Sequence, residues 1–297
     1  MVKPNKAVTF SLVGGLGNQL FIYFAGKYFS DLSKLPVRFS LSEHSKGVTK
    51  HSSSLLSFEL DDEFTSELLV KSLFRTFLVR AVPSGRWANS LSQKLRQWDA
   101  PGVGAELDAD AIKPGTFVRG YFQTRKYAER ALEGGFRLEL QNPSRWFREM
   151  SKQISPTSLA IHVRRGDYMN FSKSHGALSE QYFLGVLMYF QSVGLVKAND
   201  VWVFSDDIEQ VRAEFESVGI HGLTYVRPPQ GTDPAESLVL MSKFSRIAPS
   251  NSTFSWWSAI LNPEAMVVAP SKWFRGMEDP QDLIPKSWIR LPSIWKD

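Results

Sequence analysis

The chain has 297 residues, 43% hydrophobic and 22% charged, with a formal net charge of +5; that allows two domains with sizeable cores and excludes a disordered or fibrous polypeptide. The absence of cysteine excludes disulfides, thiolate metal sites and a cysteine nucleophile, and the small positive excess, with no basic stripe or recognised module, argues against nucleic acid as a partner. No run approaches about eighteen uninterrupted apolar residues, and the first apolar run is broken by Gly14 and Gly15, so neither a spanning helix nor a signal peptide is expected.

A strand candidate over 7–13 is closed by Gly14-Gly15-Leu16-Gly17 and followed by a helix over 18–30 and a second strand over 37–41. This βαβ opening predicts a parallel sheet. The polar stretch 42–54 reads as a loop, 66–82 has a helical apolar pattern stopped by Pro83-Ser84-Gly85, and 99–104 is irregular. A strand over 116–123 follows Pro114-Gly115 and leads to a helix near 127–132. A short helix over 144–153 lies between two prolines and marks the expected junction between domains 1–153 and 154–297. Beyond it, strands over 159–163, 201–204, 223–226, 246–249 and 266–269 alternate with helices over 180–193, 208–218, 235–243 and 254–261. That alternation predicts a second parallel sheet, of Rossmann type.

Four strand ends carry polar clusters, and parallel strands of one sheet put such ends on one edge. In Gly14-Gly15-Leu16-Gly17-Asn18-Gln19, the backbone at Gly15 and Gly17 can approach a ligand, and the helix N-terminus at Asn18 can meet an anion. A plain tight turn is the other reading, and neither a dinucleotide fingerprint nor a P-loop is present. After His162-Val163, Arg164-Arg165-Gly166-Asp167 offers two guanidinium forks suited to phosphate, or a surface ion pair with Asp167. Ser205-Asp206-Asp207 offers carboxylates that accept paired N–H donors of guanine, or a helix cap at Ser205 or Asp206 with Glu209 in capping-box spacing, and the neighbouring aspartates can divide the two roles. Two adjacent carboxylates alone do not make a site for a hard cation, so no metal is expected. In Ser250-Asn251-Ser252-Thr253-Phe254, short donors at a helix start suit a phosphate, and Trp256 and Trp257 read as core.

These four segments, extended to Phe21, Tyr168 and Trp257, resemble the ordered motifs of glycosyltransferase family 11, the α-1,2-fucosyltransferases. Gly120-Tyr121-Phe122-Gln123-Thr124-Arg125-Lys126-Tyr127 and the 236–242 helix resemble two further family segments, so the likeness runs from residue 14 to about 262. The resemblance implies an α/β, GT-B-type fold: two Rossmann-like domains with parallel sheets facing across a cleft, the first binding acceptor and the second nucleotide. It implies GDP-L-fucose as donor substrate, with no cofactor and no metal. Carried over by motif, Arg164 and Arg165 face the diphosphate, His162 borders the guanosine, and Asp206 or Asp207 holds guanine. Ser252, Thr253 and Phe254 complete that pocket, and Gly17 and Asn18 meet the diphosphate. Phe122, where tryptophan is common, and Ala128, where an aromatic is frequent, bear on acceptor choice.

The implied reaction is an inverting displacement by the 2-hydroxyl of a β-galactose-containing glycan. Arg165 is expected to stabilise the developing phosphate charge, with Arg164 assisting. Asp167 is expected to orient the arginines or their turn. Glu180, His175 and Glu43 lack motif support as bases, and a base-free path in which the departing phosphate oxygen takes the proton stays open. A transferase for another linkage or another GDP-sugar and a silent sugar-nucleotide binder are the competing readings. The expected setting is bacterial surface polysaccharide (O-antigen) synthesis on a lipid-linked acceptor, in the cytoplasm or peripherally at the inner membrane face, where the +5 charge favours an anionic leaflet.

Overall fold

A computed structural model describes residues 6–41, 54–65, 97–166, 173–194 and 200–296. The helix expected over 66–82, most of the 42–54 loop, and Asp167 lie outside the described residues. The chain divides into two compact units, one of Met1–Leu56 with Leu60–Phe136 and one of Ser57–Glu59 with Arg137–Asp297.

The first unit carries β1 (Val8–Ser11), α1 (Leu16–Ser33), β2 (Val37–Ser40), β3 (Phe64–Thr65), β4 (Gln97–Asp99), β5 (Phe117–Arg119) and α2 (Arg125–Glu133). Its sheet runs β3-β2-β1-β5-β4 with every pairing parallel. All four β1 residues are buried, as a central strand covered on both faces requires. Phe10 of β1 meets Phe29, Phe39 and Phe122 at ring-centroid distances of 6.0–6.2 Å, which fixes helix, sheet and the β5 exit around one core.

The second unit carries α3 (Arg145–Ser151), β6 (Leu159–Val163), α4 (Glu180–Ser192), β7 (Val201–Ser205), α5 (Ile208–Ser217) and β8 (Thr224–Tyr225), then α6 (Pro234–Ser242), β9 (Arg246–Ala248), α7 (Thr253–Ile260), β10 (Met266–Pro270) and β11 (Ile289–Leu291). The parallel sheet runs β11-β10-β9-β6-β7-β8. Counted within this sheet, that is the Rossmann order, and it reverses between β6 and β9. Leu159, Ile161 and Val163 project from one face of β6 into a core shared with Tyr182, Phe183, Val186, Val211 and Phe215, on α4 and α5.

The α/β class and the two parallel Rossmann-like sheets match the GT-B-type expectation. Helix α3 sits with the second unit, whereas the 153/154 junction placed it in the first. Glu236 of α6 accepts from the Ser144 N–H at 2.6 Å and from its hydroxyl at 2.5 Å, while Ser144 Oγ caps α3 at the Phe147 N–H. Residues 57–59 also join the second unit: Phe58 bridges Leu140 antiparallel, and Ser57 Oγ donates to Asp233 Oδ2, the cap of α6, at 2.8 Å.

Candidate active site

The β6 exit separates the two arginines by the two-residue period of extended chain. Arg165 continues the face of Ile161 and Val163 and turns inward. Its guanidinium is 0% exposed. Nε and Nη2 stand 2.8 and 2.7 Å from Glu214 Oε2, and Nη1 donates to the carbonyls of Arg164 and Leu178, both at 2.9 Å. The expectation that Arg165 faces a diphosphate does not fit this geometry, because a guanidinium enclosed in the core and neutralised by a carboxylate is spent on holding the turn. Arg164 keeps to the face of His162. It remains 21% exposed in its side chain and pairs with Asp206 Oδ2 at 3.0 Å.

Asp206, just past the end of β7, also accepts the Arg165 backbone N–H on Oδ1 at 2.8 Å, so one carboxylate fastens both the backbone and the outward arginine of the turn. Gly166 has φ +26°, and a Cβ there would lie 2.2 Å from Asp206 Oδ2, so only glycine lets the carboxylate close this tightly. Asp207 is occupied differently: its side chain caps α5 at the Gln210 N–H, 3.1 Å away. The cap of α5 is therefore Asp207 rather than the expected Ser205 or Asp206, because Asp206 is held by the arginine turn.

Where the strand order reverses, His162 Nδ1 and Ser250 Oγ lie 2.8 Å apart and join the exits of β6 and β9. Burial, and then the nearby Arg164 charge, lower the His162 pKa to about 3, so the imidazole is neutral. Phe254, at the start of α7, is half-buried and faces His162 at 5.6 Å between ring centroids. Ser252 caps α7, and Thr253 is its first residue. Asn251 Nδ2 donates to the carbonyls of His175 and Gly176 at 3.1 and 2.9 Å, so this side chain ties down a loop. Trp256 and Trp257 are fully buried, as expected for core.

The first unit has its own reversal, between β1 and β5. Gly14 has φ +75°, and a Cβ there would meet Asn18 Nδ2 at 2.7 Å. Gly15, the N-cap of α1, contributes no side-chain cap, and Gly17 is buried in the first turn. Asn18 Oδ1 accepts from Gln123 Nε2 at 3.1 Å, joining the α1 start to the β5 exit.

Thus His162, Arg164, Asp206, Ser250 and Phe254 gather at the edge of one sheet, and Gly15, Gly17 and Asn18 at the edge of the other. Sequence reasoning missed Glu214 and the role of Gln123. Glu214 follows Val211 and precedes Phe215, both buried, which places it beside the apolar stripe of α5. Burial alone raises the Glu214 carboxyl pKa; hydrogen bonds from Arg165 and Lys296 outweigh that and hold it below the usual range. Among the described residues no group of three or more His, Cys, Asp or Glu is placed to hold a metal ion. No described helix is long and apolar enough to cross a membrane.

Residues 110–291 match the family model described as Glycosyl transferase family 11. The chain is 28% identical over 294 residues to the Alpha-1,2-colitosyltransferase of Escherichia coli, covering 94% of this chain and 97% of that protein. It is 34% identical over 137 residues to the O-antigen biosynthesis glycosyltransferase WbnK of Escherichia coli, covering 44% of each. Among solved structures, NodZ alpha-1,6-fucosyltransferase soaked with GDP-fucose shares the fold with a TM-score of 0.50 at 12% identity, over 90% of this chain and 95% of that one. Arabidopsis thaliana FUT1, as a variant in complex with GDP, does so with a TM-score of 0.50 at 11% identity, over 89% and 70%.

Proposed function

The chain belongs to glycosyl transferase family 11, and from that premise we propose that it moves L-fucose from GDP-β-L-fucose to the 2-hydroxyl of a β-galactose-containing glycan, giving an α-1,2 linkage. The observation that carries this reading is the constellation at the β6–β9 reversal: a neutral His162 held by Ser250, an aromatic Phe254, and one outward arginine braced by Asp206. Ligands of open α/β sheets collect beyond such a reversal. The relatives named for α-1,2 transfer and O-antigen synthesis support the linkage and the surface-polysaccharide setting. In that setting the acceptor is lipid-linked, and the enzyme works in the cytoplasm or at the inner membrane face.

In the proposed step the galactose 2-hydroxyl oxygen bonds to the fucose anomeric carbon from the face opposite the diphosphate. The C1–O bond breaks, and its electron pair goes to the β-phosphate oxygen. Arg164 stabilises that growing charge, a role that needs a fork aimed at the oxygen before the reaction starts. Arg165 acts behind it and fixes the turn through Glu214, and no metal is required. The acceptor proton leaves to Asp167 or to the departing phosphate oxygen. Asp167→Asn distinguishes these, since loss of the ascending limb of the pH–rate profile assigns the carboxylate.

The test is incubation of the purified protein with labelled GDP-L-fucose, β-galactosides and EDTA, followed by linkage analysis. Fucose on galactose O2 is expected; no transfer, or another linkage, refutes the reading. A second reading, GDP-L-colitose as donor, is favoured by the 28% identity to a colitosyltransferase across nearly the whole chain. Colitose is fucose without its 3-hydroxyl. A site that hydrogen-bonds that hydroxyl rejects the deoxy sugar by about 10⁴-fold or more. Parallel rates with the two donors decide between them.

A further inference from the structure

The arginine turn is anchored from a side that the proposed step does not use. Residues 175–179 serve both strand exits: the carbonyls of His175 and Gly176 accept from Asn251, and that of Leu178 accepts from Arg165. Residues 294–296 run along them. The Ser179 N–H donates to Ile294 O at 2.8 Å, Leu178 bridges Trp295 antiparallel, and the Lys296 N–H donates to Ala177 O at 2.8 Å. From this seam the Lys296 side chain reaches Glu214 Oε1 at 2.8 Å and Glu180 Oε2 at 3.1 Å.

Glu214 is therefore held at both oxygens. Oε2 takes Arg165, and Oε1 takes Lys296 and the Gln210 Nε2 donor at 2.8 Å. A carboxylate bound on both sides has no freedom to turn, so the position of Arg165 depends on the ammonium behind it. The contacts then continue outward from Arg165 through its backbone N–H to Asp206 and on to Arg164. Lys296 is only 21% exposed in its side chain, so its pairs are less screened than surface ones.

We propose that Glu214 and Lys296 are positioning residues for Arg164, acting on it through Arg165 and Asp206. The alternative is a set of ion pairs that stabilises the unit without bearing on ligand binding. The nucleotide readout below rests on the GDP-sugar reading; the exchange readout does not.

GDP affinity is measured by calorimetry for the wild type, Arg164→Ala, Lys296→Gln, Lys296→Arg and the Arg164→Ala/Lys296→Gln double variant. Lys296→Gln is expected to weaken GDP about fivefold to tenfold, within the range of coupling between residues of one network. Lys296→Arg should restore affinity to within about twofold, and the Lys296→Gln effect should all but vanish once Arg164 is absent. An equal loss in both backgrounds, or no loss at all, overturns the proposal. Amide hydrogen exchange at Arg165 supplies the ligand-free readout: faster exchange in Lys296→Gln than in a Met188→Ala surface control supports it, and equal exchange overturns it. If the wild type binds no GDP, the donor reading fails and exchange alone decides. Should Lys296→Gln fold poorly, Gln210→Ala, which removes the other donor to Glu214 Oε1, takes its place in the same cycle.

Discussion

The two sheet reversals solve one geometrical problem with opposite chemistry. In the first unit, strand exits are joined by neutral amides, Gln123 to Asn18, around glycines that bring backbone close. In the second, they are joined by a neutral imidazole and a hydroxyl and surrounded by charge: Arg164, Asp206, and the buried Arg165 with Glu214. Amides recognise hydroxyls and carbonyls with little cost on burial. Fixed charges cost several kcal/mol to desolvate and must be paired when buried, as Arg165 is with Glu214, whereas Arg164 keeps part of its side chain exposed. Under the proposed function, this difference assigns the stabilisation of developing negative charge to Arg164 in the second unit.

The sharpest way to break that contrast is to strip the buried charge of its partner. Glu214→Leu leaves the Arg165 guanidinium enclosed and unneutralised, and should destabilise the protein by about 3–5 kcal/mol, read as a lower urea midpoint. Arg164→Ala comes next: with an active donor and acceptor it should lower turnover by about 10²- to 10³-fold, with far-UV dichroism unchanged. If turnover falls by less than about tenfold, charge stabilisation does not rest on the outward arginine.

A pH series probes the uncharged part of the second site. Folded His162 has a pKa of about 3, against 6.5 for the free side chain, so between those values the unfolded chain holds more protons. Its contribution is complete above pH 6.5 and is lost as the pH falls toward 3, at up to about 1.4 kcal/mol per unit. His162→Gln should flatten the dependence of the urea midpoint in that window; an unchanged slope would show that other groups carry it. The smallest effect is expected in the first unit. Asn18→Ala and Gln123→Ala should each cost about 1 kcal/mol, and the double variant little more than either, because both remove one neutral hydrogen bond.

Where the sequence carried a strong period, it described the fold closely. The expected 159–163 strand coincides with β6 because a fully buried parallel strand is a continuous apolar run. The two- and three-residue strands β3, β4, β5, β8, β9 and β11 are too short to show a period; β5, β8 and β9 were anticipated from the turns and helices that flank them, and β3, β4 and β11 were not. At the site, the cluster at the β6 exit was legible, but the opposite directions of Arg164 and Arg165 were not drawn from it. The alternation of β6 already implied them. What it did not imply was the partner, since Glu214 lies 49 residues further along, on a helix whose packing depends on the completed sheet. The 153/154 junction was set by prolines, whereas the chain divides by the packing of α3 on α6, a contact between residues 92 positions apart.

Residues 57–59 give the molecule an order of assembly. They are synthesised within the first fifth of the chain, yet the partners that receive them, Glu139 and Gln141 along their backbone and Asp233 at Ser57, emerge only later. The second unit is therefore not a contiguous stretch of polypeptide. It cannot be completed by the ribosome's late product alone, and a gene cut between codons 136 and 137 would deliver it without the piece that closes it.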